Sequence, residues 1–197
     1  MRKRIGIICV LSGVICLLCS VGFLFYNYWD EKNAAQKTET LLGDVKSMMD
    51  NQNKAQDKSQ TQMPTVKVDG CDCIGVLKIP VLDLELPVLT DWSYAKLKKA
   101  PCHYYGTYYE KNFVIAAHNY KSHFGRLSEL QTGDMVLFTN VNGETYRYEV
   151  VLLETLPKEA TKEMITSGFD LSLYTCTIGG ASRVTVRCKS ANVSNIF

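Results

Sequence analysis

The sequence predicts an all-β domain with short helices, preceded by an N-terminal transmembrane helix and a polar stalk. Three observations lead to this prediction. Residues 5–29 contain no charged side chain, residues 30–66 are polar, and short apolar runs separated by turn signals begin near Val68. Short runs of this kind, rich in β-branched and aromatic residues, are typical of a β-barrel or a β-sandwich.

The first segment is long enough to cross a membrane. The 25 residues from Ile5 to Trp29 carry no charge, and about 20 apolar residues in a helix span the hydrocarbon core. A cleaved signal peptide, the alternative, has an apolar region of only about 7 to 15 residues. Basic residues precede the segment, and Asp30 and Glu31 follow it. The positive-inside rule therefore predicts a single-pass protein with a cytoplasmic N-terminus and everything after Trp29 outside the cell membrane.

The next segment is predicted to be a stalk, because it is rich in Gln, Lys, Asn and Asp and carries too little apolar surface to fold alone. Five apolar residues recur in it at helical spacing, namely Leu41, Leu42, Val45, Met48 and Met49. This spacing suggests a short amphipathic helix, either packed on the following domain or free of it, with packing favoured. The predicted boundaries are 1–29 for the cytoplasmic end and anchor, 30–67 for the stalk and 68–197 for the β domain.

Seven runs in the β domain have the composition of strands. They cover residues 73–80, 84–89, 113–118, 135–140, 144–154, 171–177 and 183–189. Two glycine-containing turns, around Gly143 and around Gly179 and Gly180, can supply the positive φ angles that tight hairpins need. Short helices are predicted between strands, at 92–100, 125–130 and 158–165.

The net charge and the cysteine spacing argue against nucleic-acid binding and zinc binding. The formal net charge of +2 does not suggest a nucleic-acid partner. Five of the eight cysteines lie beyond the apolar segment, and an odd number leaves at least one free thiol in a monomer. Zinc is disfavoured because Cys71 and Cys73 have no second matching pair, and a disulfide among Cys71, Cys73 and Cys102 stays open. No metal and no other cofactor is assigned.

Cys176, His118 and Arg183 together suit acyl transfer. A cysteine nucleophile needs a partner, because only about 3% of a free thiol is thiolate at pH 7. His118 ends a predicted strand and is favoured as the base over His123, which lies in the following loop. If the last two predicted strands form a hairpin, Cys176 and Arg183 lie side by side, where a guanidinium can stabilise an oxyanion. Taken singly, each of these residues is more often structural.

Strand alternation predicts that Arg187 and Thr175, two nearby residues, point to opposite faces of the hairpin. Arg187 shares the face of Arg183 but lies farther from the turn. Arg187→Ala is therefore expected to affect transpeptidation only mildly, compared with Arg183→Ala. Thr175 points to the face opposite Cys176, although its backbone N–H or its hydroxyl could still touch a substrate.

Four segments follow one another in a recognisable order: IGVLKIPVLDLELPVL, APCHYYGT, FVIAAHNYKSHFGRLSELQTGDMV and LSLYTCTIGGASRVTVRC. Together they resemble the sortases, the membrane-anchored cysteine transpeptidases of Gram-positive bacteria. The resemblance implies a closed eight-stranded β-barrel with Cys176, His118 and Arg183 as the catalytic residues. It also implies that Thr175 and Ala117 lie at the bound substrate.

The same resemblance implies a reaction and its partners. Cys176 would cleave an LPXTG-type sorting signal between Thr and Gly and form a thioester, which an amine of the cell wall or of a pilin would then resolve. The short spacing from His118 to Cys176 excludes the large insertion of class B sortases and fits a compact class such as A, D or E. The run LYTCTIGG also resembles classes B and C, so the class stays open.

Two other functions compete with this interpretation. One is a different cell-wall cysteine acyltransferase such as an L,D-transpeptidase, whose signature places Arg directly after Cys, whereas Thr177 follows Cys176 here. The other is a catalytically silent, membrane-anchored binding module. The joint presence of cysteine, histidine and arginine in the expected order argues against a silent module.

Overall fold

The computed structural model describes residues 2–52 and 62–191. The chain forms two compact units, one up to Asn33 and one from Ala34 onward. Helix α1, Arg2–Gln52, begins in the first unit, where every side chain from Gly6 to Trp29 is exposed. An apolar helix that exposes all of its faces needs an apolar surrounding. Among the described residues, it is the one helix long and apolar enough to cross a membrane.

The second unit contains nine strands and two short α-helices within residues 62–191. The strands are β1 Val66–Val68, β2 Cys71–Ile79, β3 Leu84–Leu89, β4 Cys102–Tyr105, β5 Phe113–Ala116, β6 Met135–Asn140, β7 Thr145–Pro157, β8 Leu171–Cys176 and β9 Ser182–Ser190. The helices are α2 Tyr94–Leu97 and α3 Thr161–Ile165, and 3-10 turns occur at Pro80–Leu82 and Leu127–Glu129. Three of these helical pieces fall inside the three ranges predicted from sequence and are shorter than predicted.

Eight of the strands close into a barrel. Their hydrogen-bonded order is β2, β3, β4, β5, β8, β9, β7 and β6, and β6 pairs again with β2. Strand β1 stands outside this ring and pairs with Cys71–Cys73, beyond the part of β2 that pairs with β6. The predicted closed eight-stranded β-barrel is therefore confirmed.

Gly75 is the point at which the barrel closes. It pairs with Asn140 of β6 on one side and with Val88 of β3 on the other. A Cβ atom on Gly75 would overlap the backbone carbonyl oxygen of Thr139, so a larger residue would push β6 away from β2. The glycine of the Ile-Gly run is thus explained by close approach of two backbones.

Strands β8 and β9 present two different faces. Leu171, Leu173 and Thr175 pair with Cys188, Val186 and Val184. The apolar members of this first set belong to the barrel core or pack against it. Ser172, Tyr174 and Cys176 pair with Arg187, Thr185 and Arg183, and strand alternation turns this second set to the outer surface of the barrel. Part of that outer surface is covered by α3, because the Arg187 guanidinium donates to the Met164 carbonyl at 3.2 Å.

The second half of α1 packs on the barrel. Its buried residues recur at helical spacing and are Ala34, Thr38, Leu41, Val45 and Met49. Three of them form a core cluster with side chains of β1 to β4 that include three unbridged thiols, Cys71, Cys73 and Cys102. Lys46 also forms an ion pair with Glu85 at 2.8 Å. The amphipathic helix suggested by the stalk sequence is therefore present, and it lies on the domain.

Candidate active site

Cys176 and Arg183 face each other across a hairpin. Cys176 is the last residue of β8, and its register partner on β9 is Arg183. Cys176 is exposed, whereas the other four cysteines beyond α1 are buried. Of the thiols in residues 62–191, Cys176 is thus the one that a large substrate can reach.

His118 lies level with Cys176 because β5 and β8 run parallel. Ala116 pairs with Tyr174, and the Ala117 N–H extends the ladder by donating to the Tyr174 carbonyl at 3.1 Å. His118 follows the end of β5 by two residues, as Cys176 follows Tyr174 by two residues in β8, so continued strand alternation would turn both side chains to the outer face. The His118 ring stacks on Tyr120, with centroids 4.1 Å apart and an interplanar angle of 8°. Its Nδ1 also lies 3.0 Å from the Asn119 side-chain oxygen.

The Arg183 side chain turns back along its own hairpin. One terminal nitrogen donates to the carbonyl oxygens of Gly180 and Ser182, both at 3.1 Å. A guanidinium has five N–H groups in a fixed fork, so these bonds anchor it and leave donors for a ligand. The arrangement suits stabilisation of negative charge next to Cys176.

Thr175 and Ala117 support the site from inside the barrel. The Thr175 hydroxyl donates to the Ala117 carbonyl at 2.9 Å, and Thr175 is only 3% exposed. This bond ties the end of β8 to the segment that carries His118. Ala117 borders the cleft beside Cys176. The Thr175 side chain points inward, so a contact with substrate would have to come from its backbone.

A cleft of about 140 Å³ adjoins Cys176 and Arg183. One side is aromatic, with ring centroids 5.8 Å apart for Trp92 and Tyr104 and 5.3 Å apart for Tyr104 and Tyr174. Burial raises the pKa of Tyr174, so this ring stays neutral and can donate a hydrogen bond. The other side comes from the connection between β7 and β8, with Pro157, Lys158, Ala160, Thr161 and Met164.

The sequence of this chain matches a known protein family. The family model of the Sortase domain matches residues 77–191, more than half of the chain. This chain belongs to the sortase family. Sortases are cysteine transpeptidases, which agrees with an exposed thiol flanked by histidine and arginine.

Individual sortases are similar to this one at moderate identity. Sortase D of Bacillus subtilis is 28% identical over 134 residues, which cover 67% of this chain and 63% of that relative. This chain therefore spans less than two thirds of the relative's length. Sortase C1 of Streptococcus suis is 26% identical with a TM-score of 0.54, covering 62% of this chain and 75% of that one. The Sortase D5 transpeptidase of Clostridium perfringens shares the fold, with a TM-score of 0.61, 18% identity, and coverage of 80% and 99%.

His123, the less favoured candidate for the base, is a buried residue. It lies in the loop after β5, as expected, but its side chain is fully buried and its Nε2 lies 2.7 Å from the Thr38 hydroxyl of α1. Burial and, secondarily, the charge of His118 lower the pKa of His123 to about 4. Its ring is therefore a neutral structural group of the sortase barrel. The sequence carried no signal for this contact, since Thr38 is 85 positions away.

Arg187 is also buried. It does share the outer face with Arg183, but it is 1% exposed and forms a 2.7 Å ion pair with Glu154. Its guanidinium donates further to the Ser172 hydroxyl at 2.8 Å and to the Glu163 carbonyl at 2.9 Å. The expectation that Arg187→Ala affects transpeptidation only mildly stays a prediction, but the burial of Arg187 means that this substitution should affect stability. Arg187 holds α3, β7 and β8 together.

Proposed function

We propose that this chain is a membrane-anchored cysteine transpeptidase that cleaves an LPXTG-type sorting signal between Thr and Gly through a thioester on Cys176. The observation that carries the proposal is the cross-strand pair of Cys176 and Arg183. His118 follows by two residues the end of β5, which pairs with β8 in parallel. The proposed nucleophile and oxyanion donor are thereby held on paired strands, as a preorganised site requires, and the proposed acid–base group follows the end of the adjacent strand.

The first half of the proposed reaction is acylation. The Cys176 thiolate attacks the threonine carbonyl carbon, and the carbonyl oxygen becomes an oxyanion stabilised by Arg183. His118 donates its proton to the leaving amine of glycine as the C–N bond breaks. The products are a thioester on Cys176 and a free peptide that begins with glycine.

The second half transfers the acyl group. An amine of a cell-wall precursor or of a pilin attacks the thioester, and His118 accepts the proton that the amine loses. The Cys176 sulfur leaves as thiolate, so a new amide forms and the enzyme returns to its starting state. Thr175, in β8, and Ala117, directly after β5, contribute backbone to the substrate groove in this proposal.

The apolar part of α1 has a role in this scheme. It anchors the enzyme with its N-terminus in the cytoplasm and the β domain on the outer face, as the charge distribution predicts. Both substrates are then confined to the same membrane surface, which raises their effective concentration. In this proposal residues 1–29 form the cytoplasmic end and anchor, 30–67 the stalk and 68–197 the catalytic domain, and the second half of α1 packs the stalk against that domain.

The proposal is tested with the full chain in detergent micelles and a panel of LPXTG-like peptides. Intact-mass spectrometry should detect an adduct that ends at threonine, and digestion should locate it on Cys176. Cys176→Ala should form no adduct, while Cys188→Ala, which removes a buried thiol, should still form one. A folded chain that acylates with no peptide of the panel would favour the silent binding module instead.

A further inference from the structure

Thr38 is the polar residue in the otherwise apolar buried stripe of α1, and its hydroxyl has three neighbours. Thr38 is 4% exposed. Its Oγ1 lies 2.9 Å from the Ala34 carbonyl of the preceding helical turn, 2.6 Å from the Lys99 carbonyl before β4, and 2.7 Å from His123 Nε2. The Thr38 hydroxyl thus joins α1 to two connections of the barrel.

The hydrogen-bond partners of the Thr38 hydroxyl favour one tautomer of His123. A hydroxyl has one proton to donate and lone pairs to accept. The two carbonyl oxygens can only accept and compete for that proton, which favours the His123 tautomer whose Nε2–H donates to Thr38. The opposite nitrogen, Nδ1, has no hydrogen-bond partner among the described residues, which agrees with a bare lone pair there. His123 is therefore neutral and held in one orientation.

His123 is connected to His118 in two ways. The Tyr120 ring lies between the two imidazoles, stacked on His118 and at 66° to His123 with centroids 5.5 Å apart. The backbone also loops back, because the N–H of Phe124 donates to the His118 carbonyl at 3.2 Å. A displacement of His123 would consequently reach the His118 ring through Tyr120 and its backbone through Phe124.

The loop from His118 to Gly125 has little room to rearrange on its own. The N–H groups of His123 and Gly125 both donate to the Tyr120 carbonyl, at 2.9 and 2.8 Å. A Cβ atom on Gly125 would lie 2.5 Å from the Asn119 carbonyl oxygen and 2.8 Å from that of Tyr120. The loop is tightly wound, and Thr38 is the side chain of α1 that is bonded to it.

We propose that Thr38 is a positioning residue, through which the helix that follows the apolar segment orients His118 for proton transfer by way of His123 and Tyr120. This role rests on the proposed function of His118 as the acid–base group. The docked half of α1 is then part of the catalytic apparatus, although it contributes no side chain to the cleft. Its stripe needs a hydroxyl at this position, because an apolar residue would leave His123 Nε2–H and the Lys99 carbonyl without a partner.

The experiment compares Thr38→Val, which keeps the β-branched shape and removes the hydroxyl, with Thr38→Ser, which restores it. The full chain in micelles is acylated with the peptide found for the wild type. We expect Thr38→Val to lower the acylation rate at saturating peptide about tenfold, with a half-saturating peptide concentration within about twofold of wild type. Thr38→Ser should recover most of the rate. Thr40→Val is the matched control, because Thr40 is exposed on the same helix and bonds only within it, to Gln36.

A second readout does not depend on turnover. The chain contains three histidines, so nitrogen NMR of histidine-labelled protein resolves each ring. Wild type should show one neutral ring protonated at Nε2, and Thr38→Val should change that ring's signal while Thr40→Val leaves it unchanged.

The outcomes separate the two proposals. A wild-type chain that never acylates overturns the proposed function and the positioning role with it. An active wild type beside a Thr38→Val variant that acylates equally fast overturns the positioning role alone. Failure of Thr38→Ser to recover activity, in a variant with the wild-type ring signal, would also overturn it.

Discussion

Cys176 and Arg183 form the last register pair of the β8–β9 hairpin before its turn. The turn is closed by the Thr177 N–H donating to the Ser182 carbonyl at 2.9 Å, and Gly179 and Gly180 adopt φ angles of 84° and 75°. These angles are accessible to glycine at little cost. The backbone spacing between Cys176 and Arg183 is therefore set by strand pairing and does not depend on either side chain.

Alanine at Cys176, His118 or Arg183 should each abolish transpeptidation without unfolding the barrel. All three lie on an outer face and contribute little to the core, so we expect melting temperatures within about 3 °C of wild type. Acylation should fall by about two to three orders of magnitude for Arg183→Ala and further for Cys176→Ala. The measurements are adduct formation by mass spectrometry and thermal unfolding by circular dichroism.

Arg183→Lys provides the matched control for the guanidinium. Lysine keeps the charge but replaces the fixed fork with a flexible point charge, so activity should lie between those of wild type and Arg183→Ala. Turnover near the wild-type rate in any of the three alanine variants would remove that residue from the catalytic set.

Arg187→Ala should destabilise the protein far more than Arg183→Ala does. The substitution removes the ion pair with Glu154. It also removes the hydrogen bonds that Arg187 donates to the Glu163 carbonyl and to the Ser172 hydroxyl. Breaking a buried ion pair on one side costs about 3 to 5 kcal/mol, and the partial exposure of Glu154, 30%, favours the lower end. Denaturant unfolding of both variants checks this, and equal midpoints would contradict it.

Alkylation should distinguish Cys176 from the other thiols of the barrel. Burial raises the pKa values of Cys73, Cys102 and Cys188 to about 12, so these groups stay protonated and inert at about pH 8. Iodoacetamide should therefore label Cys176 first, as read by peptide mass mapping. Unfolding in denaturant should equalise the rates, whereas early labelling of Cys188 in the folded protein would mean that the barrel opens.

His123 should make the protein less stable at acidic pH. Its pKa is about 4 in the folded protein and near 6.5 when unfolded. Between these values the unfolded chain binds the proton and the folded protein does not, so stability falls as the pH is lowered. The full contribution is present above about pH 6.5, and about 3 kcal/mol of it is lost by pH 4.

The matching measurement is the unfolding free energy of wild type and His123→Gln across that pH range. Carboxylates titrate in both proteins, so the difference between the two curves isolates the histidine. Parallel curves would show that His123 is solvated in the folded state.

Most of the barrel could be predicted because local sequence patterns identify its strands. The seven predicted runs all became strands, and Ser93 to Lys98, Leu127 to Glu129 and α3 lie in the predicted helical gaps. Strand β1 was missed, although Asp69 and Gly70 form the two-residue Asp-Gly turn that signals a hairpin. Strand β4 has only four residues and was visible through the family resemblance alone.

The pairing of Cys176 with Arg183 could be predicted from the sequence, but the buried contacts around the site could not. Hairpin pairing of Cys176 with Arg183 follows from alternation and a glycine turn, both of which are local. The burial of His123 against Thr38 and of Arg187 against Glu154 depends on contacts between residues 85 and 33 positions apart. Contacts between residues so far apart produce no local pattern in a single sequence.

The parallel pairing of β5 with β8 has a consequence for the order of folding. Thr175 and Ala117 meet across 58 positions of chain, and closing so long a loop is slow compared with forming a hairpin. His118 is synthesised long before Cys176, yet the two become neighbours only when this pairing forms. A chain that emerges N-terminus first therefore does not bring Cys176 and His118 together during most of its synthesis, because their pairing waits for β8 to meet β5.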